Sequence, residues 1–132
     1  MSGPEVSCPP TLDLRSTDSQ GWRILQVSGE IDAYTAPVLR KHLLGVITSG
    51  HTGVVLDLSG VSFLDSTALG ILIAGEKRLR AVSGHLRVVV SSPMVLRVLQ
   101  ITALDSVFDL YPTLAAALSG EPHIPLPVRE AR

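Results

Sequence analysis

A cluster of residues that could do chemistry stands between two apolar runs near the middle of the chain. Asp65, Ser66 and Thr67 are consecutive, and the segment around them reads V-V-L-D-L-S-G-V-S-F-L-D-S-T-A-L-G-I-L-I. Hydroxyl groups beside a carboxylate suit three roles: a catalytic nucleophile, the N-cap of a helix, or a target that another enzyme modifies. The surrounding residues indicate which of these roles applies.

A catalytic role for Ser66 is not favoured by its neighbours. A serine on a sharp strand-to-helix turn can be a hydrolase nucleophile, but that turn needs small residues two positions before and after the serine. Leu64 and Ala68 take those positions here, and Leu64 is too bulky. No histidine is an evident base by its spacing; the four are His42, His51, His85 and His123. We therefore expect no catalytic residue.

Cofactor and metal chemistry has little support in the sequence. It contains neither of the phosphate-binding glycine motifs, G-x-x-x-x-G-K-[ST] and G-x-G-x-x-G, and no pair of His or Cys at the spacing of metal ligands. Glu30 and Asp32 form a short acidic pair, which solvation and helix capping explain. We expect no cofactor and no metal.

The composition indicates one compact domain that does not bind nucleic acid. The chain has 132 residues, 45% of them hydrophobic, and a formal net charge of −1. No basic stripe is present to neutralise phosphates, and no apolar run approaches the roughly 20 residues of a membrane span. A single cysteine, Cys8, favours a reducing compartment. We therefore expect a cytoplasmic protein without a direct nucleic-acid or membrane partner.

Strands and helices alternate along the middle of the chain. Apolar periodicity and turn residues predict strands at 11–16, 21–28, 53–58, 86–90 and 107–111, and helices at 34–48, 67–82, 93–101 and 113–118. A turn at residues 18–21 makes the first two strands a hairpin. The later strand-helix-strand units imply parallel pairing, so the fold class is α/β.

The two ends differ from the middle of the chain. Residues 1–10 and 120–132 are rich in proline and lack apolar periodicity. We expect a flexible N-terminal tail at 1–10 and a flexible C-terminal tail at 120–132. The single domain is then expected at residues 11–119.

Polar and apolar side chains are expected to gather at one edge of the sheet. The carboxyl ends of parallel strands meet at the same edge, where sites usually form. The expected partner-binding surface comprises Glu30, Asp32, Tyr34, Phe63, Leu64, Asp65, Ser66, Thr67, Ser91 and Ser92. An acidic, hydroxyl-bearing edge with apolar neighbours is typical of a docking surface rather than of a reaction centre.

Helix capping accounts for only one of the three residues from Asp65 to Thr67. Asp, Ser and Thr all accept hydrogen bonds from the free N–H groups of a helix start, and one such residue is enough. At least one hydroxyl is therefore left exposed at a helix N-terminus, where the dipole favours a phosphate. Gly70 and Gly75 follow within the same helix at a cost in helix propensity. Close packing and room for a partner are both open explanations for them.

The order of the motifs resembles a known family. The segments are G-E-I-D before the first long helix, then D-S-T-A-L-G, K-R-L-R-A-V-S-G and V-V-V-S-S-P-M-V-L-R-V-L-Q-I-T-A-L-D-S-V-F. They resemble the STAS domain of bacterial anti-sigma factor antagonists over residues 11–119. The resemblance implies a single STAS domain, a small and mostly parallel β-sheet with a hairpin edge and helices packed mainly on one face.

The resemblance also implies a function. Members of the family bind an anti-sigma factor that is also a serine kinase, which frees the sigma factor for RNA polymerase. The kinase phosphorylates the serine directly after the aspartate of the motif, here Ser66, with Thr67 as the second candidate. Phosphorylation stops binding, and a phosphatase restores it. The resemblance implies that the chain itself is not an enzyme.

A scaffold or sensor STAS module that assembles with copies of itself is the alternative. Such modules usually carry an extra N-terminal sensory domain, which we do not expect here. The two hypotheses differ in one measurable property, because an antagonist gains one phosphate from a suitable kinase and a passive scaffold gains none.

Overall fold

The structure is a computed structural model that describes residues 12–120. Its elements, in chain order, are β1 (Leu12–Ser19), β2 (Trp22–Ile31), α1 (Ala36–Thr48), β3 (Gly53–Leu64), α2 (Ser66–Ala81), β4 (His85–Val89), α3 (Pro93–Ile101), β5 (Asp109–Tyr111) and α4 (Leu114–Ser119). The predicted tails, Cys8 and His123 lie outside the described residues, apart from Gly120, which ends α4.

The five strands form one sheet in the order β1-β2-β3-β4-β5. β1 and β2 pair antiparallel, and the other neighbouring strands pair parallel. Ser19 lies opposite Trp22, and the two residues between them, Gln20 and Gly21, have φ angles of 53° and 86°, as a two-residue hairpin turn requires. The predicted α/β class and the hairpin edge are confirmed.

Two apolar layers cover the sheet. Helices α1, α2 and α3 pack on one face through a large core, and α4 packs on the other face through a small one. Leu25 belongs to the large core and its neighbour Ile24 to the small one, because successive side chains of a strand point to opposite faces. The prediction that the helices lie mainly on one face is confirmed.

Strands β2 and β3 are longer than the sequence predicted, and this changes the position of the G-E-I-D segment. β2 continues to Ile31 and β3 to Leu64. The added residues pair with one another across register shifts, so that Glu30 lies opposite Phe63 and Ile31 opposite Leu64. Glu30 is therefore a strand residue, and the turn after β2 begins only at Asp32.

The helices begin within two residues of their predicted positions. α1 begins at Ala36 rather than at 34, and α2 at Ser66 rather than at 67. A short 3₁₀ turn at Leu104–Ser106 was not predicted, and it delays β5 to Asp109. In the part of the chain that the structure describes, every helix is too short or too polar to span a lipid bilayer.

Candidate functional site

The N-terminus of α2 is capped by Asp65. Its Oδ1 atom accepts hydrogen bonds from the backbone N–H groups of Thr67 (3.0 Å) and Ala68 (3.2 Å). The backbone of Asp65 is extended, as is usual for an N-cap residue. The carboxylate provides the cap, so the hydroxyls of Ser66 and Thr67 are not needed for it, and both residues are exposed. The sequence predicted such a spare hydroxyl.

A second aspartate organises the turn between β2 and α1. Asp32 Oδ1 accepts hydrogen bonds from the backbone N–H groups of Tyr34 and Thr35, each at 2.9 Å. The Thr35 hydroxyl donates to the carbonyl of Glu30 (2.8 Å) and accepts from the N–H of Asp32 (3.0 Å). The pKa of the Asp32 carboxyl is lowered from its usual 3.8, mainly because the carboxylate accepts the hydrogen bond from the backbone N–H of Thr35. Asp32 is therefore a charged residue whose carboxylate the turn holds in place.

Hydrogen bonds at the ends of β2 and β3 bring these two turns together. The backbone N–H of Asp65 donates to the carbonyl of Ile31 (3.1 Å). One position before Ile31 and Leu64, Glu30 in β2 lies opposite Phe63 in β3, and both residues are exposed. We call the resulting surface the cap edge; it comprises Glu30, Asp32, Tyr34, Phe63, Asp65, Ser66 and Thr67.

The apolar part of the cap edge differs from the prediction at one residue. Tyr34 is 77% exposed and Phe63 is 39% exposed, as a docking surface requires. Leu64, which was predicted to bind the partner, is only 3% exposed and packs in the large core. That prediction was wrong because Leu64 points to the face of the sheet that the helices cover. Val38 in the first turn of α1 is also 39% exposed, and it was not among the residues predicted for this surface.

The loop at Ser91 and Ser92 was also predicted to join this surface, but its hydrogen bonds connect it to other parts of the fold. Ser91 Oγ donates to the carbonyl of Ser59 (3.2 Å), in the middle of β3, and Ser92 caps α3 through the N–H of Val95 (3.4 Å). β4 ends at Val89, whereas β3 continues to Leu64, so this loop leaves the sheet earlier than the cap edge does. Within residues 12–120, no hydrogen bond joins the two serines to the cap edge.

The cap edge lacks the partners that catalysis by Ser66 would need. Among the described histidines, none forms a hydrogen bond with Ser66; His42 and His51 bond to carbonyl groups of α1 instead. The described residues also contain no group of three or more His, Cys, Asp or Glu that could hold a metal ion. The arrangement offers an exposed hydroxyl at a helix N-terminus beside carboxylates and aromatic rings. The surface is accessible from solvent.

A groove between α1 and α2 opens beside the cap edge, and the sequence did not predict it. It has a volume of about 240 Å³, and Thr67 is the α2 residue that lines it nearest the cap. Leu44 and Ile71 contribute apolar surface, and Arg40 and Arg78 contribute positive charge. The groove is thus a mainly apolar cleft whose lining includes two cationic side chains.

The two glycines of α2 have different environments in this groove. A Cβ atom on Gly75 would lie 2.8 Å from Leu43 Cδ2, which is buried in the core. A Cβ atom on Gly70 would have no atom within 4 Å. Close packing of α1 against α2 therefore explains Gly75, but it does not explain Gly70.

Comparisons with known proteins agree on one family. A model of the STAS domain matches residues 13–117. The chain is 34% identical over 115 residues to the anti-sigma-F factor antagonist RsfB of Mycobacterium tuberculosis, covering 87% of this chain and 93% of that protein. It is 37% identical over 102 residues to the anti-sigma-B factor antagonist of Listeria monocytogenes, covering 76% and 87%. An anti-sigma factor antagonist structure from Mycobacterium paratuberculosis superposes with a TM-score of 0.79 at 38% identity, covering 87% and 97%.

Proposed function

The chain belongs to the STAS domain family, and from this membership together with the geometry of the cap edge we propose that it is an anti-sigma factor antagonist. The relatives described above carry that function in their names. In this proposal the chain binds an anti-sigma factor through the cap edge and thereby frees a sigma factor for RNA polymerase. It acts by binding rather than by catalysis, in the cytoplasm.

Phosphorylation of Ser66 by the anti-sigma factor, acting as a serine kinase, is the proposed switch. The observation that carries this proposal is that Asp65 already accepts the hydrogen bonds of the helix start. Ser66 therefore presents an exposed hydroxyl that the fold does not use. A phosphate on the first residue of α2 is favoured by the helix dipole, so the domain can carry it without unfolding.

The charge of the phosphate accounts for release of the partner. It adds about −1.5 to −2 units of charge next to Asp65, on a surface that already holds Glu30 and Asp32. If the partner presents a carboxylate to Ser66, two like charges about 4 Å apart across the interface repel by roughly 4 kcal/mol before screening. Half of that repulsion already weakens binding by more than about tenfold. A phosphatase that removes the phosphate from Ser66 then restores binding.

A mixing experiment followed by mass measurement tests this proposal. The chain is incubated with ATP and, in turn, with each purified serine-kinase anti-sigma factor of its source organism. One of them should bind the parent chain and add one phosphate. Ser66→Ala should bind the same anti-sigma factor and stay unmodified, while Thr67→Ala should still be phosphorylated. Ser66→Glu should fold normally and bind at least about tenfold more weakly.

Two outcomes would contradict the proposal. If no anti-sigma factor of the organism binds the parent chain, the proposed function is wrong. If Ser66→Ala is phosphorylated and Thr67→Ala is not, the acceptor is Thr67, and the assignment of Ser66 is wrong while the antagonist function stands.

A further inference from the structure

The size of the groove between α1 and α2 suits a side chain of another protein. Its volume of about 240 Å³ is below the range of roughly 300–1,000 Å³ that is usual for small-molecule pockets. Its surface is mainly apolar, with Leu44 on the α1 side and Ile71 on the α2 side. Such a cleft can bury an apolar side chain from a partner.

The charges at the groove indicate the chemistry of that partner. Arg40 and Arg78 line it, and no acidic residue does. The ion pairs within residues 12–120 involve other arginines, namely Arg15, Arg23 and Arg80. A guanidinium group pairs with a carboxylate through two parallel hydrogen bonds. Arg40 and Arg78 are therefore available to carboxylates on a bound protein.

Gly70 keeps the groove open. Glycine is the least favourable residue in a helix after proline, and the packing of the domain does not require it at this position, since a Cβ there would meet no atom within 4 Å. Gly75 differs because it lies against Leu43. A helical glycine that the domain's own packing does not need preserves space for a group from outside the domain.

We propose that this groove binds an apolar side chain flanked by acidic residues, on a segment of the anti-sigma factor. Thr67 lines the groove and directly follows Ser66, so the groove and the cap edge form one continuous surface. This inference rests on the proposed function and adds a second contact region to it. Phosphorylation of Ser66 switches the contact at the cap edge, while the groove contributes affinity and selects an acidic partner.

Filling the groove tests the inference, and the chain offers a matched control. Gly70→Leu places a side chain in the groove, whereas Gly45→Leu places one on another surface of α1, toward Lys41 and His42. A Cβ on Gly45 also meets no atom within 4 Å, and leucine is the better helix former, so both variants should unfold at or above the parent's Tm. Binding is measured to the anti-sigma factor that phosphorylates the parent chain. Gly70→Leu should bind at least about tenfold more weakly, and Gly45→Leu should bind like the parent.

Charge reversal is a second test, which leaves the groove unfilled. Arg78→Glu should weaken binding to the same anti-sigma factor by at least about tenfold, and added salt should reduce the difference from the parent. Lys77→Glu makes the same change of charge at the neighbouring position of α2, which does not line the groove. It should change the affinity by less than about threefold, because an exposed charge outside the contact interacts only weakly with the partner.

The outcomes separate this inference from the proposed function. If Gly70→Leu and Arg78→Glu both bind like the parent while Ser66→Glu binds weakly, the groove is not a partner site and the antagonist function stands. If Gly45→Leu and Lys77→Glu weaken binding as much as the groove variants do, the inference is overturned because the effect is not specific to the groove. If no anti-sigma factor binds the parent chain, the proposed function fails and the inference fails with it.

Discussion

Asp32 and Asp65 stand at the starts of neighbouring helices and form the same kind of hydrogen bonds, but the hydroxyl groups near them differ. In each case Oδ1 accepts from two backbone N–H groups. Near Asp32, Thr35 is 2% exposed and its hydroxyl is bonded to two backbone groups. Near Asp65, both Ser66 and Thr67 are exposed. We call the turn at Asp32 the closed turn and the start of α2 at Asp65 the open turn.

The difference between the turns shows what makes a hydroxyl available to a kinase. An aspartate with a neighbouring hydroxyl residue occurs in both turns, so this sequence pattern is not sufficient. Modification of Thr35 would require the loss of two hydrogen bonds and the exposure of a buried side chain. Ser66 can be modified without any such rearrangement. The closed turn therefore holds the structure together, and the open turn exposes the hydroxyl of the proposed phosphorylation site.

The largest difference in stability between the turns should come from their threonines. Thr35→Val keeps the shape of the side chain but leaves the part-buried N–H of Asp32 without its acceptor. An unsatisfied buried polar group costs about 1–3 kcal/mol of unfolding free energy. Thr67→Val in the open turn should change the unfolding free energy by less than about 0.5 kcal/mol. Urea unfolding measures both values, and equal losses would show that the turns do not differ in this way.

Removal of the cap from the open turn should have an intermediate effect. Asp65→Ala takes away the acceptor for two N–H groups of α2 and should lower the unfolding free energy by about 0.5–2 kcal/mol. Asp65→Asn keeps an acceptor oxygen and should retain most of the parent's stability in the same urea titration. If Asp65→Ala is as stable as the parent, Ser66 or Thr67 can provide the cap. The hydroxyl would then not be spare, and the distinction between the turns would fail.

Much of the fold could be predicted because local signals and tertiary structure agree over most of the chain. Pro93 marks the start of α3, and Gly21 marks the hairpin, because both residues restrict or permit particular backbone angles. The ends of β2 and β3 could not be predicted in this way. The segment S-G-V-S-F-L has no regular alternation, and its pairing with β2 depends on register shifts, one of them between Gly29 and Glu30. These residues form a strand only because a neighbouring strand pairs with them.

The sequence predicted those features of the candidate site that depend only on residues adjacent in the chain. The cap at Asp65 and a spare hydroxyl after it follow from adjacent residues. The burial of Leu64 and the separate position of Ser91 depend on how far β3 extends, which the sequence did not indicate. The groove depends on how two helices that are separated by a strand in the chain pack against each other. Gly70 was a signal for it, but the same signal came from Gly75, and only the space around each residue distinguishes them.

The smallest expected effect concerns the charge of Asp32 in the closed turn. The hydrogen bond from the N–H of Thr35 holds the pKa of this carboxyl below its usual 3.8, so the folded state favours the ionised form. The resulting stability is fully present above the unfolded-state pKa and is lost as the pH falls through the lower folded-state pKa. In urea titrations at a series of pH values, the parent should therefore lose more stability than Asp32→Asn does, beginning near pH 3.8. Parallel profiles for the two proteins would mean that the hydrogen bonds to Asp32 do not depend on its charge, and the closed turn would then contribute nothing to the pH dependence of stability.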